Sequence, residues 1–196
     1  MSDQRMEKGE KTRGIILYAA ITIIAEDGLN EISTSKLAKA AGVSKSTIFH
    51  HFKTSDDVLI GALNIVFENL RQSMLQGKYK DIEHFLDTIG RRLLHTADTD
   101  LVFIKAFLSF FHGGIFKPTF RNILDSYVEQ MSAHFRMQIA ELVPSSVKPE
   151  TIESVSILLL PAIDGIGFHY LLNQDRAKCE HIWMLQTKAI LYLLRN

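Results

Sequence analysis

Apolar residues recur at intervals of three and four along most of the chain, which is the period of an amphipathic helix. Glycine and proline are sparse, and no Asn-Gly turn joins two alternating runs as it would in a β-hairpin. The pattern therefore predicts an all-α protein. We expect helices over about residues 10–27, 36–41, 45–52, 56–76, 81–97, 99–112, 118–143, 150–173 and 177–194.

Short polar residues and glycines mark the ends of these predicted helices. Gly28 stands where a helix often ends on a left-handed residue, and Gly42 breaks the chain between two short helices. We expect N-terminal caps at Ser33 or Thr34, at Ser44 and at Ser55, and gaps at Gly113–Gly114 and at residues 144–146. Pro161 is expected to kink its helix rather than end it, because the apolar period continues beyond it.

The composition limits the possible classes of protein. The chain has 196 residues, 22 basic and 22 acidic side chains, and 46% hydrophobic residues, which suits a folded core and excludes a largely disordered chain. Cys179 is the only cysteine, so an intramolecular disulfide and a thiolate zinc cluster are excluded, and a cytoplasmic setting is favoured. No signal-peptide pattern is found, and the longest strongly apolar run ends at Asp164, so we expect no membrane-spanning helix.

Residues 34–53 contain the parts of a helix-turn-helix. Two short predicted helices flank the turn at Gly42, and Leu37, Ile48 and Phe52 supply apolar faces that pack the second helix on the first. Residues 1–54 carry 8 basic and 6 acidic side chains, and the segment 33–53 contains no acidic residue at all. We therefore predict a DNA-binding domain over residues 1–54, followed by a helical domain over residues 55–196.

The second helix of such a unit lies in the major groove with its N-terminal residues at the base edges. Here the residues with hydrogen-bonding side chains at that end are Ser44, Lys45, Ser46 and Thr47. Contacts with phosphates are expected from Thr34, Ser35, His50, His51 and Lys53. The alternative is an ordinary helical hairpin whose lysines form a solvated face.

The run AGVSKSTIFHHFK over residues 41–53 resembles the DNA-binding signature of the TetR family of bacterial regulators. Leu37 and Ala38 upstream and the Asp57–Leu59 segment downstream fit the same signature, which covers roughly residues 12–60. Two positions depart from it, because Ser46 stands where the family usually has glycine and Phe49 where it usually has tyrosine. Phe49 lacks the hydroxyl for a phosphate contact, but its ring can pack on a thymine methyl group.

The resemblance implies a function as well as a fold. Members of the family are homodimers that bind a palindromic operator and release it when a small molecule enters the C-terminal domain. It therefore implies a DNA-binding transcriptional regulator, with a repressor as the expected form. We expect no cofactor and no metal site. Residues 55–196 would then bind the effector and form the dimer.

Aromatic residues are concentrated in the middle of the chain. A stripe of this kind is usually core, yet a site for an apolar or amphipathic ligand needs the same lining with a few polar groups in it. Asp164 and His169 supply candidate polar groups, with a helix cap, an intersubunit hydrogen bond or plain exposure as the alternative for both. The candidate effector residues are Phe103, Phe107, Phe111, Phe120, Leu124, Tyr127, Met131, Asp164 and His169.

The last two predicted helices have apolar faces typical of an interface. Small residues on the first would let two helices approach closely, and two helices from each subunit would form a four-helix bundle. Packing within one chain is the alternative. The candidate interface residues are Leu158, Ala162, Gly165, Leu172, Ile182, Leu185, Ala189 and Leu193.

An enzyme and a helical adaptor are the alternatives to a DNA-binding protein. The sequence contains no GxSxG elbow, no phosphate-binding glycine loop and no HExxH motif, so an enzyme is not expected. A helical adaptor or oligomerisation protein without DNA binding remains the second interpretation.

Overall fold

The computed structural model describes residues 2–75, 77–95 and 98–195 and is all-α over these residues, as predicted. A short 3₁₀ helix, Leu29–Glu31, follows the first α-helix. The α-helices are α1 (Ser2–Asp27), α2 (Thr34–Ala41), α3 (Lys45–His51), α4 (Ser55–Leu75), α5 (Ile82–Leu94), α6 (Asp98–Phe116), α7 (Pro118–Leu142), α8 (Pro149–Asn173) and α9 (Arg176–Arg195).

Two helix boundaries differ from those predicted. α1 begins at Ser2 rather than near residue 10, because the segment before its apolar face is rich in Glu, Lys and Arg, which favour helix without an apolar period. Gly113 and Gly114 lie inside α6, where a gap was expected. A Cβ on Gly114 would stand 2.3 Å from Leu124 Cδ1, so this glycine permits close packing of α7 rather than a turn.

The caps of two other elements also differ from expectation. α4 is capped by Thr54 and not by Ser55: the Thr54 amide donates to Asp57 Oδ2 at 2.8 Å, and the Asp57 amide donates to Thr54 Oγ1 at 3.1 Å. This reciprocal pair satisfies two free amides at once, which a cap at Ser55 does not. Gly28 has the positive φ expected, 95°, but its ψ of 168° directs the chain into the 3₁₀ helix instead of forming a left-handed helix end.

The described residues form two compact units, and the first contains the helices up to Leu70 together with Asp98–Leu124. The predicted apolar face of α1 is buried here, with Ile16, Ala20 and Ile24 fully inaccessible to solvent. α1 packs on α2 and on α6, and Ser109 Oγ of α6 donates to the Ile24 carbonyl at 3.4 Å. The predicted helix-turn-helix and α6 are therefore parts of one packed body. The division of the chain at residue 54, into a DNA-binding domain and an effector-binding domain, stays a prediction.

The second unit contains the residues from Arg71 to His95 and those from Asp125 onward. α5, α8 and α9 pack together in it. Trp183 of α9 is buried against α5, and its indole nitrogen donates to the Leu86 carbonyl at 3.0 Å. The indole occupies the space above Gly90, where a Cβ would stand 2.2 Å from the ring nitrogen, so only glycine allows this contact.

α8 continues through Pro161 to Asn173, as predicted. It is the one described helix that is long and apolar enough, by length and composition alone, to span a membrane, which the sequence pattern did not indicate. The prediction counted one uninterrupted apolar run, whereas the hydropathy of an 18-residue window tolerates Asp164. Because 39% of that window is buried and α8 packs on α5 and α9, its apolar character also fits a core helix of a bundle.

The turn between α2 and α3 depends on the backbone of Gly42. Gly42 has φ 65° and ψ 31°, and its amide donates to the Ala38 and Lys39 carbonyls. The Val43 amide donates to the Ala38 carbonyl at 3.0 Å, which completes a Schellman-type helix end. Glycine adopts this left-handed conformation without the steric cost that a Cβ imposes.

We expect Gly42→Val to lower the free energy of unfolding by at least about 1 to 2 kcal/mol, because a β-branched residue is strained at positive φ. A Cβ at Gly42 meets no other atom within 4 Å, so the loss would come from the backbone conformation itself. Urea unfolding at fixed protein concentration measures it. Gly42→Asn is the control and should cost less, since asparagine tolerates this region; equal midpoints for the valine variant and the parent would contradict the prediction.

Candidate functional site

The start of α2 presents hydroxyl groups beside free helix amides. Ser33 provides the cap, since its Oγ accepts from the Lys36 amide at 3.3 Å. Thr34 and Ser35 therefore occupy the first turn of α2, where Ser35 is exposed and Thr34 half-buried. A helix N-terminus with accessible hydroxyls suits a phosphate group.

Ser44 shapes the start of α3. It has extended backbone, and its Oγ accepts from the Thr47 amide at 3.1 Å, which is the predicted cap. The same oxygen lies 2.7 Å from Ser46 Oγ and 2.8 Å from Thr47 Oγ1. The three hydroxyls thus form one hydrogen-bonded group, in which Ser44 is committed as the cap.

The side chains of α3 divide into a packed face and an accessible face. Ile48 is buried, and Phe52, the C-terminal cap residue, is buried next to it. The Arg13 guanidinium of α1 lies 4.8 Å from the Phe52 ring centre, which adds a cation–π contact across the unit. Phe49 is 60% exposed, so its ring is available to a partner. The accessible residues of α3 and its flanks are Ser44, Lys45, Ser46, Phe49, His50 and Lys53, with Thr47 and His51 half-buried.

The positive charge on the accessible side of the helix-turn-helix comes from three lysines. Lys36 is not among them, because its Nζ lies 2.9 Å from Asp27 Oδ2 and 3.7 Å from Glu31 Oε2. The Asp27 hydrogen bond raises the pKa of Lys36 and ties α2 to the end of α1. Within the described ranges, Lys39, Lys45 and Lys53 are exposed and have no ion-pair partner. These are the cations able to meet phosphates.

The predicted effector residues of the first unit pack on one another and on neighbouring helices. Phe107 is buried, with ring centres 6.0 Å from Phe67 of α4 and 5.9 Å from Phe111. Phe110 and Phe120 meet edge to face at 5.6 Å. Phe120 and Leu124 are buried as well, Phe103 is half-buried against Tyr18 at 6.3 Å, and Phe111 is 47% exposed.

The remaining predicted effector residues lie in the second unit. Tyr127 and Met131 are buried, Asp164 is partly accessible and His169 is exposed. Burial raises the pKa of the Asp164 carboxyl to about 7. Burial also raises the pKa of the Tyr127 phenol, and the negative charge of Asp164 raises it further. No hydrogen bond or ion pair joins Asp164 to any residue that the structure describes.

The second unit also contains a groove that the sequence did not indicate. It has a volume of about 680 Å³ and lies between α5 and α9, and no predicted effector residue lines it. Its lining comes from helices about ninety positions apart in the chain, so no local pattern could have revealed it. The lining residues are Asp87, Gly90, Arg91, Leu94, His95, Glu180, Trp183, Met184, Thr187 and Lys188.

The predicted interface residues form accessible apolar faces on α8 and α9. Leu172 is 66% exposed, which is high for a leucine. Ala162 is half-buried. The exposed members of the set are Leu158, Gly165, Leu172, Ile182, Leu185, Ala189 and Leu193.

Comparison with known proteins identifies relatives of the N-terminal part. The family model described as "Bacterial regulatory proteins, tetR family" matches residues 16–62. The chain is 47% identical over 45 residues to the fatty acid metabolism regulator protein of Bacillus subtilis, a match that covers 23% of each protein. It is 25% identical over 99 residues to the transcriptional regulator AcrR of Shigella flexneri, covering 50% of this chain and 46% of that protein. The chain thus spans about a quarter and about half of these two relatives.

Solved structures share the fold over nearly the whole chain. A transcriptional regulator from Rhodococcus sp. Rha1 has a TM-score of 0.80 at 22% identity, with 92% of this chain and 96% of that chain covered. The multidrug binding protein EbrR, complexed with malachite green, has a TM-score of 0.65 at 19% identity, with 93% and 97% covered.

The family match and the geometry agree on the same segment. Residues 16–62 contain the capped helix α2, the left-handed turn and the capped helix α3 with its accessible polar end. Residues 16–62 therefore match the tetR family of bacterial regulatory proteins, and within this match α2, the turn at Gly42 and α3 form the helix-turn-helix.

Proposed function

We propose that this protein is a transcriptional regulator of the TetR family, a repressor that binds a palindromic operator as a homodimer and leaves it when an apolar or amphipathic small molecule binds. The observation that carries the proposal is the accessible polar end of α3 in one compact unit with α6. The protein would act in the cytoplasm by binding, without catalysis and without a cofactor.

Side chains in the first turn of α3 would recognise the base sequence of the operator. Lys45 can donate to guanine O6 and N7, and Ser46 and Thr47 can donate to or accept from base edges. Ser44 would act mainly by fixing the start of the helix, since its hydroxyl already caps it. Phosphate contacts would come from Thr34, Ser35, His50, His51 and Lys53, and the exposed Phe49 ring would pack on a thymine methyl group.

The homodimer would form through α8 and α9. Packing within one chain buries large apolar side chains, yet Leu172, Leu185 and Leu193 stay exposed on these helices. Gly165 has open space where a side chain would be, which allows a second helix to approach closely. A four-helix bundle of two α8–α9 pairs would remove these surfaces from water.

A bound ligand would release the operator by displacing α6. Its Phe107 contacts Phe67 of α4, and Lys117, just beyond α6, lies 3.6 Å from Asp56 at the start of α4. A ligand that displaced these rings would move α6 and α4, and with them the helix-turn-helix packed on α1. The complex of the structural neighbour EbrR with malachite green supports a small molecule as the ligand class.

Selection of bound DNA fragments is the first test of operator binding. Purified protein should retain fragments of genomic DNA from its source organism, and a gel shift with such a fragment separates a DNA-binding regulator from a helical adaptor. The footprint should contain two half-sites related by a dyad, with recognition helices separated by roughly 34 Å or somewhat more. A footprint on one asymmetric half-site would contradict the dimeric arrangement.

Lys45→Ala and Thr47→Ala should each weaken operator binding by about 1 to 3 kcal/mol and relax sequence preference, because they remove base contacts. Lys53→Ala should weaken binding to all sequences alike and reduce the salt slope by about one, because it removes a phosphate contact. Fluorescence anisotropy over a salt series distinguishes the two effects. Lys148→Ala, at an exposed lysine before α8, serves as the control; equal loss of specificity from Lys45→Ala and Lys53→Ala would refute the assignment.

Leu172→Glu should convert the dimer to a monomer at micromolar concentration and lower operator affinity, because a charge would be buried at the interface without a partner. Sedimentation equilibrium measures the change. Met137→Glu is the matched control, since Met137 is 52% exposed but lies on α7, outside the proposed interface. A Leu172→Glu protein that remains dimeric would place the interface elsewhere.

An effector found by screening apolar and amphipathic compounds for loss of operator binding should bind more weakly to the operator complex than to the free protein. A coupling of about 1 to 3 kcal/mol corresponds to a change of about 5- to 150-fold in both affinities. Calorimetric titration with and without operator measures it. Phe111→Ala should reduce the response at little cost in stability, because this ring is already 47% exposed, and equal ligand affinities in both titrations would show that the sites are uncoupled.

A further inference from the structure

The groove between α5 and α9 combines apolar lining residues with a polar rim. Gly90 and Leu94 of α5 and Trp183 of α9 are its buried lining residues, and Met184 adds an exposed apolar side chain. Its volume of about 680 Å³ lies within the range of sites for small organic molecules, which have mostly apolar walls and a few polar groups. The groove therefore has the size and the lining of a ligand site.

The length of the groove favours a small molecule over a protein segment. Side-chain contacts join α5 to α9 at two places, where Glu83 meets Arg195 and where His95 Nε2 lies 2.9 Å from Glu180 Oε1. The lining on α5 runs from Asp87 to His95 and so lies between these contacts. These residues span about 12 Å of helix, which is too short for a partner helix of several turns.

Most of the charged groups on the rim already have partners. Arg91 Nε donates to Asp87 Oδ2 at 2.8 Å, and His95 contacts Glu180 across the groove. Lys188 is exposed, and no ion pair joins it to any residue in the described ranges. The lining charge that is left for a ligand is therefore a positive one.

The hydroxyl next to this lysine is also free. Thr12, Thr22 and Thr88 lie inside helices, and each donates its hydroxyl to the carbonyl four residues earlier. Thr187 is half-buried inside α9, yet its hydroxyl makes no hydrogen bond within the part of the chain that the structure describes. Thr187 and Lys188 thus supply two adjacent unpaired donors to one groove.

We propose that the groove between α5 and α9 binds a lipophilic organic acid. The carboxylate of the ligand pairs with the Lys188 ammonium group and accepts a hydrogen bond from the Thr187 hydroxyl, and its apolar part packs on Trp183 and Met184. The site is separate from the proposed effector site, because no predicted effector residue lines the groove.

The site is compatible with the proposed homodimer. Successive residues of an α-helix are 100° apart around its axis. The middle of the groove-lining set on α9 is therefore about 180° from the middle of the proposed interface set, Ile182, Leu185, Ala189 and Leu193. A second subunit on the interface face leaves the groove open.

Three ligands of matched size and different charge test the proposal at pH 7.5. They are 4-(4-bromophenyl)butanoate, which is an anion, the corresponding neutral amide, and 4-(4-bromophenyl)butylamine, which is a cation. Calorimetry on the full-length protein without DNA should give an affinity for the acid about five-fold or more above that for the amide, because only the acid forms an ion pair with Lys188. The amine should bind most weakly.

The fluorescence of Trp183 shows where the ligand binds. Trp183 is the only tryptophan of the chain and lines the groove, so its emission reports on this site. The bromine atom quenches an indole that it contacts, and the bromophenyl group absorbs little light at an excitation wavelength of 295 nm. Quenching by the acid should saturate over the same concentration range as the calorimetric titration.

Two variants separate the charge from the hydroxyl. Lys188→Met keeps most of the length of the side chain, and it should lower the affinity for the acid about five-fold without weakening binding of the amide. Thr187→Val should lower the affinity for both ligands, because either one can accept a hydrogen bond from the hydroxyl. Lys148→Met is the matched control, because Lys148 is an exposed lysine of the same unit outside the groove, and it should change neither affinity.

The inference would be overturned by equal affinities for the three ligands, by binding of the acid without quenching of Trp183, or by an unchanged acid preference in Lys188→Met. A Lys188→Met protein that self-associates less in sedimentation but binds the acid as before would also overturn it, because a second copy would then cover the groove. The ligand comparison on the parent protein needs no variant and no operator. Its outcome is therefore independent of the proposed DNA binding.

Discussion

The packing of α1 against α6 is the contact on which the DNA-binding half of the molecule depends. Ile16, Ala20 and Ile24 of α1 are fully buried, and α1 packs on both α6 and α2 within one compact unit. α2 and α3 together are too short to bury a core of their own. Because α1 packs on both α2 and α6, the proposed release would act on the helix-turn-helix through packed side chains.

Short polar interactions then set the direction of the recognition helix. Ser33 and Ser44 cap α2 and α3, and the left-handed Gly42 fixes the angle between them. Each is a local feature worth on the order of 1 kcal/mol, and together they fix where Lys45 and its neighbours stand. The ion pairs of Lys36 with Asp27 and Glu31 attach this local unit to α1.

The second unit combines tight packing with two features that cost stability. The indole of Trp183 fits over Gly90, which shows how closely α5 and α9 approach. Against this background, the exposed leucines of α8 and α9 and the unpaired Asp164 stand out, because a fold selected for stability would cover the first and neutralise the second. In the proposed homodimer a second subunit would cover the exposed leucines.

The sequence by itself determined the features that depend on neighbouring residues in the chain. The helical period, the cap at Ser44, the left-handed turn at Gly42 and the family signature at residues 41–53 involve contacts within a few positions, so the local pattern contains them. The buried face of α1 followed from the same period.

Only the tertiary structure decided what depends on helices distant in the chain. Gly114 looked like a helix break, but the approach of Leu124 makes it a packing site inside α6. Phe107 and Phe111 belong to one aromatic stripe, yet the first is buried and the second exposed. Asp164 could equally have been a cap, a paired group or a solvated acid. Burial and partnership arise from side chains brought together by the fold, and no local spacing encodes which side chains those are.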